Sequence, residues 1–472
     1  MIGISFSVLL PPAAAYAWVR LCFPPALRRG ILFPLSLSIG LGLGLSSISH
    51  VLILWILGAW SPAAALIEAS VYGLLLLAAV AALRARAGRD SEIPAGGTVQ
   101  PAPPGAIQAG FFGLWGFSWI TLVLISAANP HGNWDAWAVW NVKARFLFRG
   151  GPQWQEVFSP LLDGTHPDYP LLLPGTVARL WSLAGRESTW IPIAVSLVFA
   201  FCVVALLVST VAFLRTRSQG YLAGLALLGT LSFLEQGMFQ QADVPLAFFI
   251  LASMALLTMA RACIGAARIK LLVFSGILAA LAGWTKNEGL LFGAAYLLGI
   301  LLSGVCPGRG KQALRDFPAV LAGMLPVMAF LVAFKLGVRQ PTDLFLARSG
   351  AEIMGKLMDA GRYWIVLKAV AMEFLKLGMG PALIIYSMLA GGFEWEKART
   401  PLSPGILILL LMGFGYGLIY ILTPHSLEYH LSTSLYRLVI HLWPSAVLLF
   451  FVAVREPSWE VGKRLRVKYD GP

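Results

Sequence analysis

Apolar stretches of membrane-spanning length recur along this chain and leave it little choice of fold. They fall near 5–24, 31–59, 62–83, 107–127, 188–213, 221–234, 244–260, 270–284, 288–305, 317–336, 371–391, 404–422 and 437–454. A helix needs about 20 apolar residues to cross a bilayer, and backbone polar groups in lipid must be satisfied internally. The expectation is an all-α polytopic integral membrane protein with about 13 transmembrane helices. Composition agrees: 58% of the 472 residues are hydrophobic and 12% charged, too little polar surface for a soluble globule of this size. Segment 31–59 reads as one long tilted helix or two, and 221–234 and 270–284 are short for full crossings.

Charge supplies an orientation. Arg28 and Arg29, Arg84 to Arg89, Arg215 and Arg217, Arg261 to Lys270, Arg309 to Arg315, Lys397 and Arg399, and Arg455 to Lys468 fall on one side if the spans alternate. Short loops rich in Lys and Arg stay in the cytoplasm. The expected N-terminus is outside, the C-terminal tail inside, and the location a plasma (bacterial inner) membrane. The formal net charge of +13 is then a topology signal with an attraction to anionic lipid, and no nucleic-acid partner is implied. The first span lacks a charged leader region and reads as uncleaved. Cys22, Cys202, Cys263 and Cys306 all fall in spans or toward the cytoplasm, so no disulfide framework is expected.

The chain divides into N-terminal transmembrane helices at 1–84, a cytoplasmic linker rich in Arg, Gly and Pro at 85–106, a transmembrane core at 107–454, and a basic tail at 455–472. Within the core, the outside loop 129–187 is too long for a simple connector. It opens with NPHGNWDAWAVWNVKARFLFR, which places Asp135 just beyond an apolar span among Trp134, Trp137 and Trp140. HPDYPLLLP follows at 166–174. Two juxtamembrane helices joined by a turn-rich loop are the simplest layout, with Asp135 opening the first. Later outside loops bring Asp243 (ADVP), Lys286 and Glu288 (WTKNEG), Arg348, His430 and Arg437.

An ionisable group at membrane depth is costly unless hydrated, paired or bound to a cation. Each residue also has a plainer reading. The tryptophans suit an interfacial belt. Asp135 and Asp243 suit helix starts. Lys286 suits snorkelling, although Glu288 two residues on argues for a pair. Of six histidines, five (His131, His166, His425, His430 and His441) lie in or beside outside loops, which suggests a shared cavity handling protons or phosphate. The five-residue step from His425 to His430 lacks the spacing of a helical zinc pair.

With these residues in place, the chain resembles the GT-C superfamily of polyprenyl-phosphate-sugar-dependent glycosyltransferases, and most nearly its branch of protein O-mannosyltransferases and lipid A aminoarabinose transferases. Asn133-Trp134-Asp135 resembles the acidic motif of the family's first outside loop. Tyr169-Pro170-Leu171 resembles its Pro-rich element, Ala242-Asp243-Val244-Pro245 its second acidic residue, and Thr285 to Gly289 a T-K-G-like element. The resemblance covers roughly 107–454. It departs in having three spans before the one that leads into the acidic loop, and no large soluble C-terminal domain.

The resemblance implies a membrane glycosyltransferase that moves a sugar, with inversion, from a polyprenyl-phosphate donor to a lipid, glycan or protein acceptor on the extracytoplasmic side. Asp135 and Asp243 are the implied catalytic residues. Lys286, Glu288, Arg348, Arg437, His166, His430 and Tyr169 are the candidates for binding substrate. No cofactor is certain; a divalent cation shared by Asp135 and Asp243 is the candidate metal. The rival readings are a transporter or flippase of a lipid-linked or anionic substrate, and an O-antigen ligase or polymerase. Charges clustered at one interface rather than at the midplane favour surface chemistry over transport.

Overall fold

The computed structural model describes residues 2–28, 30–87, 103–305, 310–338 and 349–456. The described residues are helical apart from short connections and one isolated β-bridge between Phe393 and Val454. The helices are, in order, α1 (Ile2–Cys22), α2 (Pro25–Arg28), α3 (Leu32–Leu57), α4 (Pro62–Ala87), α5 (Gly105–Ala128), α6 (Asn141–Arg149), α7 (Leu172–Ala184), α8 (Trp190–Leu214), α9 (Arg217–Leu228), α10 (Leu231–Met238), α11 (Asp243–Ala260), α12 (Gly265–Thr285), α13 (Asn287–Ser303), α14 (Gly310–Val338), α15 (Gly350–Met358), α16 (Ala360–Lys376), α17 (Met379–Leu389), α18 (Trp395–Leu422) and α19 (Leu427–Ala453).

Among the described residues nine helices are long and apolar enough to cross a membrane, or ten if α16 and α17 form one broken span. The thirteen spans read from hydropathy are not reached by that measure. The apolar stretch 221–234 is divided by Gly229 and Thr230 into α9 and α10, and neither piece is long enough to cross. Stretch 371–391 is cut by Gly378, whose φ of 70° suits glycine, and the two pieces are bent by 73°. Segment 31–59 is a single helix, α3. Most of the linker (88–102) and of the tail (457–472) lies outside the described residues, as does Arg348.

α11 is the centre of the molecule: every residue of its apolar window is buried, and α8, α12 and α19 pack around it. α4 and α5, by contrast, bury only 17% and 22% of theirs, so most of their apolar surface faces outward, where lipid would lie. A helix apolar all round can serve either role, which is why hydropathy does not separate centre from rim.

The 129–187 connection is helical in pieces, with 3-10 turns at Gly151–Phe158 and Pro160–Thr165 between two longer ones. The first is a π-helical turn, Ala136–Trp140, continued by α6; the second is α7. α7 is driven into the bundle rather than laid on it. Its Arg179 pairs with Glu68 of α4 at 2.8 Å, each side chain only 2% exposed, and also donates to the Ser7 carbonyl of α1. Ser47 of α3 donates to the Leu171 carbonyl (3.1 Å) and accepts from the Trp284 indole (3.2 Å). Gly175 allows that approach, because a Cβ there would lie 2.6 Å from Ser47 Oγ. The N-terminal helices therefore hold the start of α7, and with it the segment 168–171, against α12.

Candidate active site

The helix ends that carry Asp135, Asp243, Lys286 and Arg437 meet. Asp135 follows α5 and precedes the π-turn. Its backbone N–H is capped by the Asn133 side chain (2.9 Å), but its own carboxylate caps nothing. The helix-start reading of Asp135 is therefore not what the geometry shows. Its Oδ2 accepts instead from Arg437 Nη1 at 2.6 Å, across 302 positions of sequence. π-turns inside helical runs are costly and concentrate at functional sites.

Asp243 opens α11 and is fully buried. Its Oδ2 accepts from Arg437 Nε and Nη2 (3.1 and 3.0 Å). Its Oδ1 accepts from Lys286 Nζ (3.0 Å) and lies 2.7 Å from His441 Nε2. That contact makes His441 a donor through Nε2, so in the neutral ring Nδ1 accepts from the Tyr416 hydroxyl at 3.2 Å. Asp243 thus receives four charge-assisted or polar contacts, and a buried carboxylate is stable only when so supplied.

Lys286 sits where α12 breaks and α13 begins, in extended backbone. Gly289 makes the break possible, since a Cβ there would lie 1.8 Å from the Ala282 carbonyl. Besides Asp243, Lys286 pairs with Glu288 at 2.9 Å, and its ammonium lies 5.9 Å from the Tyr169 ring. Only 3% of the lysine side chain is exposed, so snorkelling does not describe it.

Tyr169 is packed between rings, stacked on Trp140 (5.6 Å) and His166 (5.0 Å). Burial, with the Glu288 carboxylate nearby, pushes its hydroxyl well above the usual phenol range. Trp140 therefore faces inward, while Trp134 and Trp137 are 59% and 49% exposed and fit the interfacial belt.

A second group of charges lies beside the first. Lys143 is fully buried; it donates to the His166 carbonyl (2.5 Å) and lies 5.5 Å from the Tyr169 ring. Burial and the neighbouring Lys335 pull Lys143 down to about 7, against the pull of Asp168. Lys335 reaches from α14 to the Asp168 carbonyl and to Asn287 Oδ1 (2.9 Å), and Asn287 in turn donates to the Asp168 carboxylate (2.7 Å). Asp168, Asn287 and Lys335 were not among the residues expected from sequence. Taken together, the carboxylates of Asp135, Asp168, Asp243 and Glu288 stand against the cations Lys143, Lys286, Lys335 and Arg437.

Two expectations need correction. The five histidines do not share one cavity. His441 bonds Asp243, His166 stacks on Tyr169 and His131 is exposed, while His430 bonds Thr423 (2.8 Å) with His425 at 5.8 Å. His430 stands two turns from Arg437 on α19, turned to α18 rather than to Asp243. The shared divalent cation does not fit either. Arg437 fills the position between Asp135 and Asp243, and among the described residues no group of three or more His, Cys, Asp or Glu is placed to hold a metal.

Residues 168–334 match the model of the dolichyl-phosphate-mannose-protein mannosyltransferase family. The stretch is shorter than half the chain and contains Asp168, Tyr169, Asp243, Lys286 and Glu288, but not Asp135, Lys335 or Arg437. No curated protein and no solved structure matches the chain. With its many apolar helices, the family match supports a membrane glycosyltransferase of the GT-C type.

Proposed function

We propose that the protein transfers a sugar from a polyprenyl-phosphate donor to an acceptor hydroxyl at the extracytoplasmic face of the plasma membrane. The observation that carries this reading is the Arg437 bridge between partly exposed Asp135 and fully buried Asp243. Arg437 is a cation held at the rim by one carboxylate that could be exchanged and another that could not.

In this reading Asp243 is an anchor. It orients Arg437, Lys286 and His441 and stays out of contact with the acceptor. The donor phosphate competes with Asp135 for Arg437, and Lys286 shares the phosphate charge. Asp135, released, accepts the proton of the acceptor hydroxyl. The hydroxyl oxygen forms a bond to the anomeric carbon as the carbon–oxygen bond to phosphate breaks. Polyprenyl phosphate leaves with the bonding electrons, and attack from the opposite face inverts the centre. Tyr169, held by Trp140, walls the site against water, which would otherwise hydrolyse the donor.

The test is turnover of a defined polyprenyl-phosphate sugar by the purified full chain, with wild type compared to Asp135→Asn. The expected loss is about 10²–10⁴-fold, the usual cost of removing a general base. Near-wild-type turnover by the Asn variant would rule out the assignment.

A further inference from the structure

A cavity of about 210 Å³ lies outside the charge cluster, between the turn at 130–131, α6, the end of α7 and the start of α8. That is more than ten times the about 10–15 Å³ that admits one water. Its lining includes His131, Asn141, Arg145, Glu187, Trp181 and Thr189.

The cavity borders the catalytic loop. His131 lies on the turn that leads into Asp135, and Gly132, at φ 68°, shapes it. Asn141 donates to Gln240 (3.2 Å), and Gln240 donates to the Pro130 carbonyl (3.2 Å). Gln240 itself takes a left-handed φ of 56°, rare for a residue with a Cβ, three positions before Asp243. The wall of the cavity is thus tied to both acidic motifs.

The charge in the cavity is compensated. Glu187 pairs with Arg145 at 3.4 Å and takes both carboxylate oxygens to Arg149. Hydrogen bonding from Arg149 holds Glu187 below the usual carboxylate range, so it remains an ionised acceptor at neutral pH. A ligand entering meets the polar residues His131, Asn141, Arg145 and Glu187 beside a larger apolar share that includes Pro130, Trp181 and Pro192. Such a mixture suits a molecule with hydroxyls on its edge and C–H groups on its face; a simple ion would find the charge already spent.

We propose that this cavity is the acceptor subsite and that it takes a hydroxyl-rich saccharide, offered to Asp135 from the side away from lipid. The inference rests on the glycosyltransferase reading and adds the substrate class of its second partner. Thr189→Trp fills the cavity at a side chain that makes no cap bond. Arg145→Gln removes a donor while leaving Glu187 to Arg149.

The purified full chain is given a polyprenyl-phosphate sugar labelled in the sugar, with a membrane extract of the source cells as acceptor. Label released as free sugar measures attack by water; label retained in the glycan fraction measures transfer. Both variants are expected to lower transfer at least about tenfold relative to hydrolysis, with melting in detergent unchanged and Thr189→Ser restoring the wild-type ratio. An unchanged ratio in either correctly melting variant overturns the subsite and leaves the glycosyltransferase reading standing, and so does label that goes to protein or lipid carrying no glycan. Failure of wild type to consume any polyprenyl-phosphate sugar overturns both.

Discussion

Lys286 holds Asp243 and Glu288 at once, so its removal separates two roles. Lys286→Met keeps the apolar stem and leaves buried carboxylates short of a partner, which should cost about 3–5 kcal/mol. Adding Glu288→Gln removes one of those charges and should recover part of that stability. Turnover should stay low in the double variant, because the phosphate still lacks its lysine; recovered stability together with full turnover would show that Lys286 only holds the fold. Lys143 offers a second measurement at this scale. Its folded pKa of about 7 lies below the value of about 10.5 expected in an unfolded chain. Between those limits the unfolded state binds the extra proton, so this group makes stability rise with pH, at most by about 1.4 kcal/mol per unit. Melting of wild type from pH 7.5 to 9 should therefore improve relative to Lys143→Met, and parallel curves would place the lysine in water. Asp135, Asp243, Lys286 and Arg437 were legible in the sequence because each charge interrupts or borders an apolar run and has no cheap explanation there. Lys335 was not. A lysine one turn from the end of a span reads as snorkelling, and its approach to Asp168 spans 167 positions that no local pattern encodes. An odd sign was available: Asp168 stands between Pro167 and Tyr169-Pro170, a stretch too constrained to be a random surface carboxylate.

The element that most depends on its neighbours is α7. Its Arg179 is buried against Glu68 and the Ser7 carbonyl, so α1 and α4 bear on the site through this helix. Arg179→Met leaves Glu68 charged and buried with, among the described residues, the Ser49 hydroxyl at 2.6 Å as its hydrogen-bond donor, and should lower stability by about 3–5 kcal/mol. Arg179→Met with Glu68→Gln removes both charges and should return most of it, measured by thermal melting in detergent. No recovery in the double variant would mean that Arg179 works mainly through Ser7 and packing. Helices themselves were legible wherever the apolar run was long, as in α3, α8 and α19. The failures were at breaks. Gly229 and Gly378 look in sequence like tolerated glycines within apolar runs, yet each ends a helix, because what decides a break is whether the next segment finds a better surface to pack on. The π-turn after Asp135 could not be read either, since the same residues satisfy an ordinary helix.

At the scale of the molecule, charge sorts along the helix axes. α19 carries Arg437, bonded to Asp135 and Asp243, two to three turns from its start, and at its other end the Val454 carbonyl accepts from Arg215 (3.0 Å). α11 begins at Asp243 and is capped by Arg261, which pairs with Asp316 beside Arg268. Basic residues expected in the cytoplasm thus gather at helix ends opposite the charge cluster, as Lys and Arg retained on one side require. Two strongly exposed positions report the two ends: Leu161, 94% exposed in the connection after α6, and Ile264, 89% exposed between α11 and α12. In a chain with its four native cysteines replaced by alanine, Leu161→Cys should react with an impermeant maleimide added to intact cells. Ile264→Cys should react only after the membrane is opened. The distinction matters for the chemistry, because a polyprenyl-linked sugar presented outside can be used only if Asp135 lies on the side that labels first. Reaction of both positions in intact cells would mean that the helices do not alternate as their charges suggest. Labelling of Ile264→Cys alone would turn the molecule over and move the proposed transfer to the cytoplasmic face.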